Sequence, residues 1–149
     1  MPHVRAARLA EIDPLTLFAL LRLRVDVFVV EQACAYPELD AVDAEPGTEH
    51  LWVEVDGEPV ATLRTYVDAD GGHHLGRVAT SAAHRGRGYA AALVREALRR
   101  SGSRPVHIGA QTYLERWYER FGFSRSGADY VEDGIPHLPM VRDATDAGR

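Results

Sequence analysis

Hydrophobic positions in this chain recur at two periods, and the switches between them divide it into elements. Val4–Leu9 predicts a short opening strand. Asp13 and Pro14 suit a helix N-cap and first helical position. Leu17, Leu20, Leu21, Arg24 and Phe28 then keep helical spacing, so a helix is predicted to about Phe28. Residues 31–50 lose the periodicity and read mostly as loop. Leu51–Val55 and Val60–Val67 flank Asp56-Gly57, the signature of a hairpin. A turn at Asp70-Gly71-Gly72 leads to a further antiparallel strand, Leu75–Thr80. Helical spacing returns over Gly88–Arg100, with Gly102 suited to a left-handed cap. Pro105–Gln111 reads as a strand parallel to Leu75–Thr80, because a helix joins the two. Thr112-Tyr113-Leu114-Glu115 fits a capping box for a short helix ended by Gly122. Phe123–Val131 and His137–Arg142, around Asp133-Gly134, predict a closing hairpin.

The order β-α-β-β-β-α-β-α-β-β predicts an α+β (mixed α/β) fold, in which one central, mostly antiparallel mixed sheet is flanked by helices. With 149 residues the chain suits a single domain over 1–142, followed by a polar, disordered tail over 143–149.

Composition narrows the chemistry. All 17 basic residues are arginines, so lysine Schiff-base catalysis is excluded. The net charge of -5 argues against a nucleic-acid partner. The single cysteine, Cys34, excludes an internal disulfide and a cysteine zinc site, and reads as a buried structural thiol. Leu15–Val30 is the most apolar run, but Arg22, Arg24 and Asp26 interrupt it, so no membrane span is expected. The N-terminus lacks the apolar core of a signal peptide, and a cytoplasmic location is expected. Neither Glu49-His50 nor His73-His74 suits a metal, and none is expected. The acidic run over 31–50 suits either electrostatic steering of a cation or a solvated face, and Glu38, Asp40 and Asp43 individually read as the solvated face.

His84-Arg85-Gly86-Arg87-Gly88-Tyr89-Ala90-Ala91 carries the most specific signal. Its glycines open backbone conformations denied to other residues, and its amides precede a helix N-terminus. That combination cradles a phosphate or diphosphate. Gly86-x-Gly88-x-x-Ala91 imitates a dinucleotide fingerprint. However, about four residues separate it from the preceding strand, and the next strand holds no Asp or Glu for a ribose. A Walker loop would need Gly-Lys-Ser/Thr, which is absent.

Arg85-x-x-Gly88-x-Ala90 resembles instead the (Gln/Arg)-x-x-Gly-x-(Gly/Ala) motif of the GNAT acyl-CoA N-acyltransferases. Trp117-Tyr118-Glu119-Arg120-Phe121-Gly122-Phe123 resembles that family's Phe-Tyr-x-x-x-Gly-Phe. Phe28-Val29-Val30-Glu31-Gln32 and Glu132-Asp133-Gly134-Ile135-Pro136-His137 are similar to its ElaA-type branch. The resemblance spans nearly the whole chain.

It implies an N-acetyltransferase that moves an acetyl group from acetyl-CoA to a primary amine within a ternary complex. The diphosphate would lie on Arg85, Gly86, Arg87, Gly88, Tyr89 and Ala90. The pantetheine arm would pair with Val78, Ala79 and Thr80 as an added strand does. The Val78 N–H would face the thioester oxygen, where one donor is worth about 3 kcal/mol. Tyr118 matches the general acid, since a phenol can protonate a departing thiolate whose conjugate acid has a pKa of roughly 8.5. Glu31 and His137 are the two candidates for the base, and Arg24 and Arg77 are expected as buried partners of Glu31. The oligomeric state is left open by the sequence, a homodimer being compatible because this fold often pairs through its sheet or helices. The rival implication is a catalytically silent CoA-binding sensor or partner-binding module.

Overall fold

The computed structural model describes residues 2–143, so most of the expected tail lies outside the described residues. Its centre is an eight-stranded mixed sheet: β1 (Val4–Ala7), β2 (Glu49–Val55), β3 (Glu58–Val67), β4 (His73–Thr80), β5 (Val106–Gln111), β6 (Phe123–Arg125), β7 (Tyr130–Glu132) and β8 (Ile135–Arg142). The order is β1-β2-β3-β4-β5-β8-β6, with β7 also on β8. All pairings are antiparallel except β4 with β5. This is the mixed, mostly antiparallel sheet that the pattern predicts.

Helices cover both faces. In α2 (Tyr89–Ser101) Leu93, Val94, Ala97 and Leu98 recur at i, i+1, i+4 and i+5 and are buried. They join Leu51, Leu63, Ile108, Leu138 and Met140 in the main core. Full burial of one such side chain contributes about 1.5–3 kcal/mol. On the other face α1 (Pro14–Val25) packs Leu20 against Trp52 and Ile12, and Leu23 packs with Val27 against Ala79. Asp13 caps α1 by accepting from the Leu15 and Thr16 amides at 3.1 and 3.2 Å.

Four expectations need correction. The first helix does not run on to Phe28: α1 ends at Val25, and a wider π turn occupies Asp26–Glu31. Side-chain periodicity cannot register that widening, which shifts the Glu31 and Gln32 positions. The Thr112 capping box is not formed, because Thr112–Leu114 is a 3-10 turn and α3 (Glu115–Glu119) starts only after it. The closing hairpin is three strands: a bend splits 123–131 into β6 and β7, and both pair with β8. Finally, Glu38 and Asp43 are not a solvated face but lie at 3% and 5% exposure.

Two departures from regular pairing shape the site. The β4–β5 ladder holds only His73↔Val106 and His74↔His107, after which the strands part. Gly76–Thr80 therefore keeps β3 on one edge and has no strand on the other. Within that stretch the register slips: Thr62 pairs Ala79 and Arg64 pairs Gly76, leaving Arg77 and Val78 opposite Leu63 alone. This is a β-bulge, with Arg77 in the left-handed region at φ 53°. An arginine held there stores about 1–3 kcal/mol of strain, a cost that tends to be retained at ligand sites.

Candidate active site

Where β4 and β5 separate, a cavity of about 570 Å³ opens. Gly76, Arg77 and Val78 line it from β4, and Ile108, Gly109 and Gln111 from β5. The α3 residue Tyr118 and the β8 residue His137 line the same cavity.

Tyr118 is 6% exposed, set edge-on to Trp117 and Phe123. Its hydroxyl has no hydrogen-bond partner among the described residues. Burial, and to a lesser degree the Tyr113 phenol, pushes its pKa above the usual tyrosine value. The ring is therefore a proton donor across the whole neutral range.

His137 is 9% exposed and stacks with Tyr130, ring centroids 5.6 Å apart. Its Nδ1 lies 2.7 Å from the Ile135 carbonyl. A carbonyl only accepts, so Nδ1 carries hydrogen and the neutral ring keeps its lone pair on Nε2. That nitrogen sits 3.9 Å from the nearer Glu132 oxygen.

Glu31 is not brought to the cavity. Its carboxylate accepts from Arg85 Nη1 and Nη2 at 2.6 and 2.7 Å, and this pairing holds its pKa below the usual value. Arg24 and Arg77 do not partner it. Arg24 donates to Glu38 and Asp43, each at 2.7 Å, and Arg77 pairs with Glu38 and Asp40 at 3.1 and 3.3 Å. Arg64 completes the cluster, with Asp40 at 2.7 Å and Asp43 at 2.9 Å. Burial pushes the Asp43 carboxyl up, but the two guanidinium groups outweigh it and leave it at about 2. The network fastens segment 36–44 as one wall of the cavity. Sequence spacing missed it because its partners lie 14–39 residues apart.

Beyond β4, the loop 85–90 leads into α2. Gly86 and Gly88 stand at φ 77° and 81°, and no side chain caps the helix N-terminus. Cβ atoms there would meet nothing within 4 Å, so the glycines serve backbone shape and leave open space. Arg85 also donates from Nε to the Thr80 carbonyl at 3.1 Å. Ala79 turns its side chain into the α1 interface, and since the Ser81 amide donates to the Val60 carbonyl of β3, strand alternation turns the Thr80 peptide groups to the open edge. An acyl-CoA fits these features: uncapped amides for the diphosphate, and an unpaired strand edge for the pantetheine amides. Among the described residues, no group of three or more His, Cys, Asp or Glu side chains is placed to hold a metal.

Residues 23–144 match the acetyltransferase (GNAT) domain model. The chain belongs to the GNAT acetyltransferase family. A UPF0039 protein of Mycobacterium tuberculosis is 46% identical over 136 residues, covering 89% of this chain and 87% of that one. Protein ElaA of Escherichia coli is 36% identical over 144 residues, covering 93% and 94%. The crystal structure of E. coli ElaA superposes at TM-score 0.89, covering 96% of this chain and 100% of ElaA. That of an acyl-CoA N-acyltransferase from Pseudomonas aeruginosa gives TM-score 0.88 at 38% identity, covering 95% and 99%. This GNAT protein thus has the sheet, the cleft and the family membership of an N-acyltransferase. Among the described residues no helix is long and apolar enough to cross a membrane.

Proposed function

We propose that this GNAT protein is a cytoplasmic N-acetyltransferase that moves the acetyl group of acetyl-CoA to a primary amine in a ternary complex. Tyr118 is the general acid and His137 the general base. The supporting observation is that Tyr118 and His137 share one cavity at the unpaired edge of β4, with His137 Nδ1 tied to the Ile135 carbonyl and Nε2 left for the substrate side.

Acetyl-CoA supplies the activated carbonyl. The amides of 86–90 hold its diphosphate, with Arg85 and Arg87 adding charge, and Val78, Ala79 and Thr80 align its arm. The Val78 N–H, beside the bulge at Arg77, is the donor that would stabilise the negative charge developing on the thioester oxygen. His137 Nε2 takes a proton from the incoming ammonium, directly or through one water. The neutral nitrogen then attacks the carbonyl, the C–S bond breaks, and the sulfur takes its proton from Tyr118, while the second proton lost by the new amide nitrogen returns to the Tyr118 phenolate and neutralises it. Glu31, tied to Arg85 and made less basic by it, is the weaker candidate for the base.

The test is thiol release from acetyl-CoA with a broad panel of amines. Release that depends on an amine supports the proposal. Acetyl-CoA binding without release for any amine would favour a CoA-binding sensor, and amine-independent release a hydrolase.

A further inference from the structure

Residues 31–34 touch three separate walls of the cleft. Glu31 grips Arg85 of the cofactor loop through both guanidinium nitrogens. Gln32 accepts from Gln111 Nε2, at the end of β5, at 3.3 Å. The Cys34 thiol donates to the Asp133 carbonyl, in the β7–β8 turn, at 3.2 Å. Between them Ala33 is held at φ 54°, a conformation that an alanine adopts only under constraint. The segment leaves the π turn Asp26–Glu31, and Phe28, Gln32 and Cys34 all line the cavity.

We infer that Glu31 is a positioning residue that couples the two substrate sites, with residues 31–34 as the strap that transmits its state. The inference rests on the acyl-CoA reading of the cradle. Arg85 is the cation of that cradle nearest the β4 edge, yet its Nη atoms are committed to Glu31 and its Nε to Thr80. A diphosphate carries more charge than one carboxylate and draws the guanidinium away. Glu31 also stands close enough to repel the incoming anion. Loading of acyl-CoA therefore releases the strap's first anchor and loosens residues 32–34 along the cavity wall. By reciprocity, anything that frees the strap strengthens acyl-CoA binding by the same factor.

Two readouts test this separately. In calorimetry, Glu31→Ala binds acetyl-CoA at least threefold more tightly than the unaltered protein, while Glu31→Asp returns toward it. Without any ligand, the lone cysteine reports the strap: N-ethylmaleimide alkylates Cys34 at least threefold faster in Glu31→Ala and in Arg85→Ala. Glu49→Ala, which removes a comparably exposed ion pair with Arg100 elsewhere, changes neither readout. Unchanged or weakened acetyl-CoA affinity in Glu31→Ala, or an unchanged Cys34 rate in both variants, overturns the inference. Failure of the unaltered protein to bind acetyl-CoA overturns instead the function on which it rests.

Discussion

Replacing Tyr118 by phenylalanine separates catalysis from packing. The ring is 6% exposed in an aromatic cluster with Trp117 and Phe123, and phenylalanine keeps every one of those ring contacts. The group removed is a hydroxyl with no protein hydrogen-bond partner among the described residues. That hydroxyl opens on the cavity, so losing it costs no hydrogen bond within the protein. Thermal stability is therefore expected to hold or rise. The chemical step behaves oppositely. Without the phenol the thiolate departs unprotonated into a pocket that disfavours anions, as the raised Tyr118 pKa attests. General-acid contributions of about 10²–10⁴ in rate correspond to roughly 3–5 kcal/mol. The assay is thiol release at saturating acetyl-CoA alongside a melting curve. The expected result is kcat lowered at least a hundredfold, acetyl-CoA affinity within twofold, and an unchanged or higher Tm. Equal turnover, or a loss of activity that tracks a loss of stability, would refute the acid role.

Two further predictions address the scaffold. Asp43→Asn leaves Arg24, at 2% exposure, with Glu38 as its one remaining carboxylate and should cost about 2 kcal/mol in denaturant unfolding. With its carboxyl at about 2 against 3.8 for an ordinary aspartate, Asp43 contributes about 2 kcal/mol that is fully present above pH 4. That contribution is lost as pH falls toward 2, so unfolding measured from pH 5 to 2 should show it, and Asp43→Asn should flatten the loss. Gly88→Ala meets no neighbour but forces a Cβ into φ 81°. It should cost about 1–2 kcal/mol and raise the KM for acetyl-CoA several-fold, read from melting and initial rates.

The sheet was legible because its strands carry local signals, such as Asp56-Gly57 between alternating runs or the amphipathic turns of α2. The glycine loop was legible because only Gly86 and Gly88 suit its left-handed backbone. The arginine–carboxylate network was not, since Arg24, Asp43 and Arg64 share no spacing rule and identical residues elsewhere would read as surface. The π turn and the Arg77 bulge escaped for a related reason: each is imposed by tertiary packing on residues with no propensity for it. Glu31 illustrates the consequence. It was one of two candidates for the base, with a structural role as an alternative, and the widened turn delivers it to Arg85.

The central claim is where a thioester sits, and amide chemical shifts on titration with acetyl-CoA report that directly. The account predicts saturable shifts concentrated at residues 86–90 and at Val78, Ala79 and Thr80. Shifts confined to other surfaces, or none at millimolar acetyl-CoA, would contradict it.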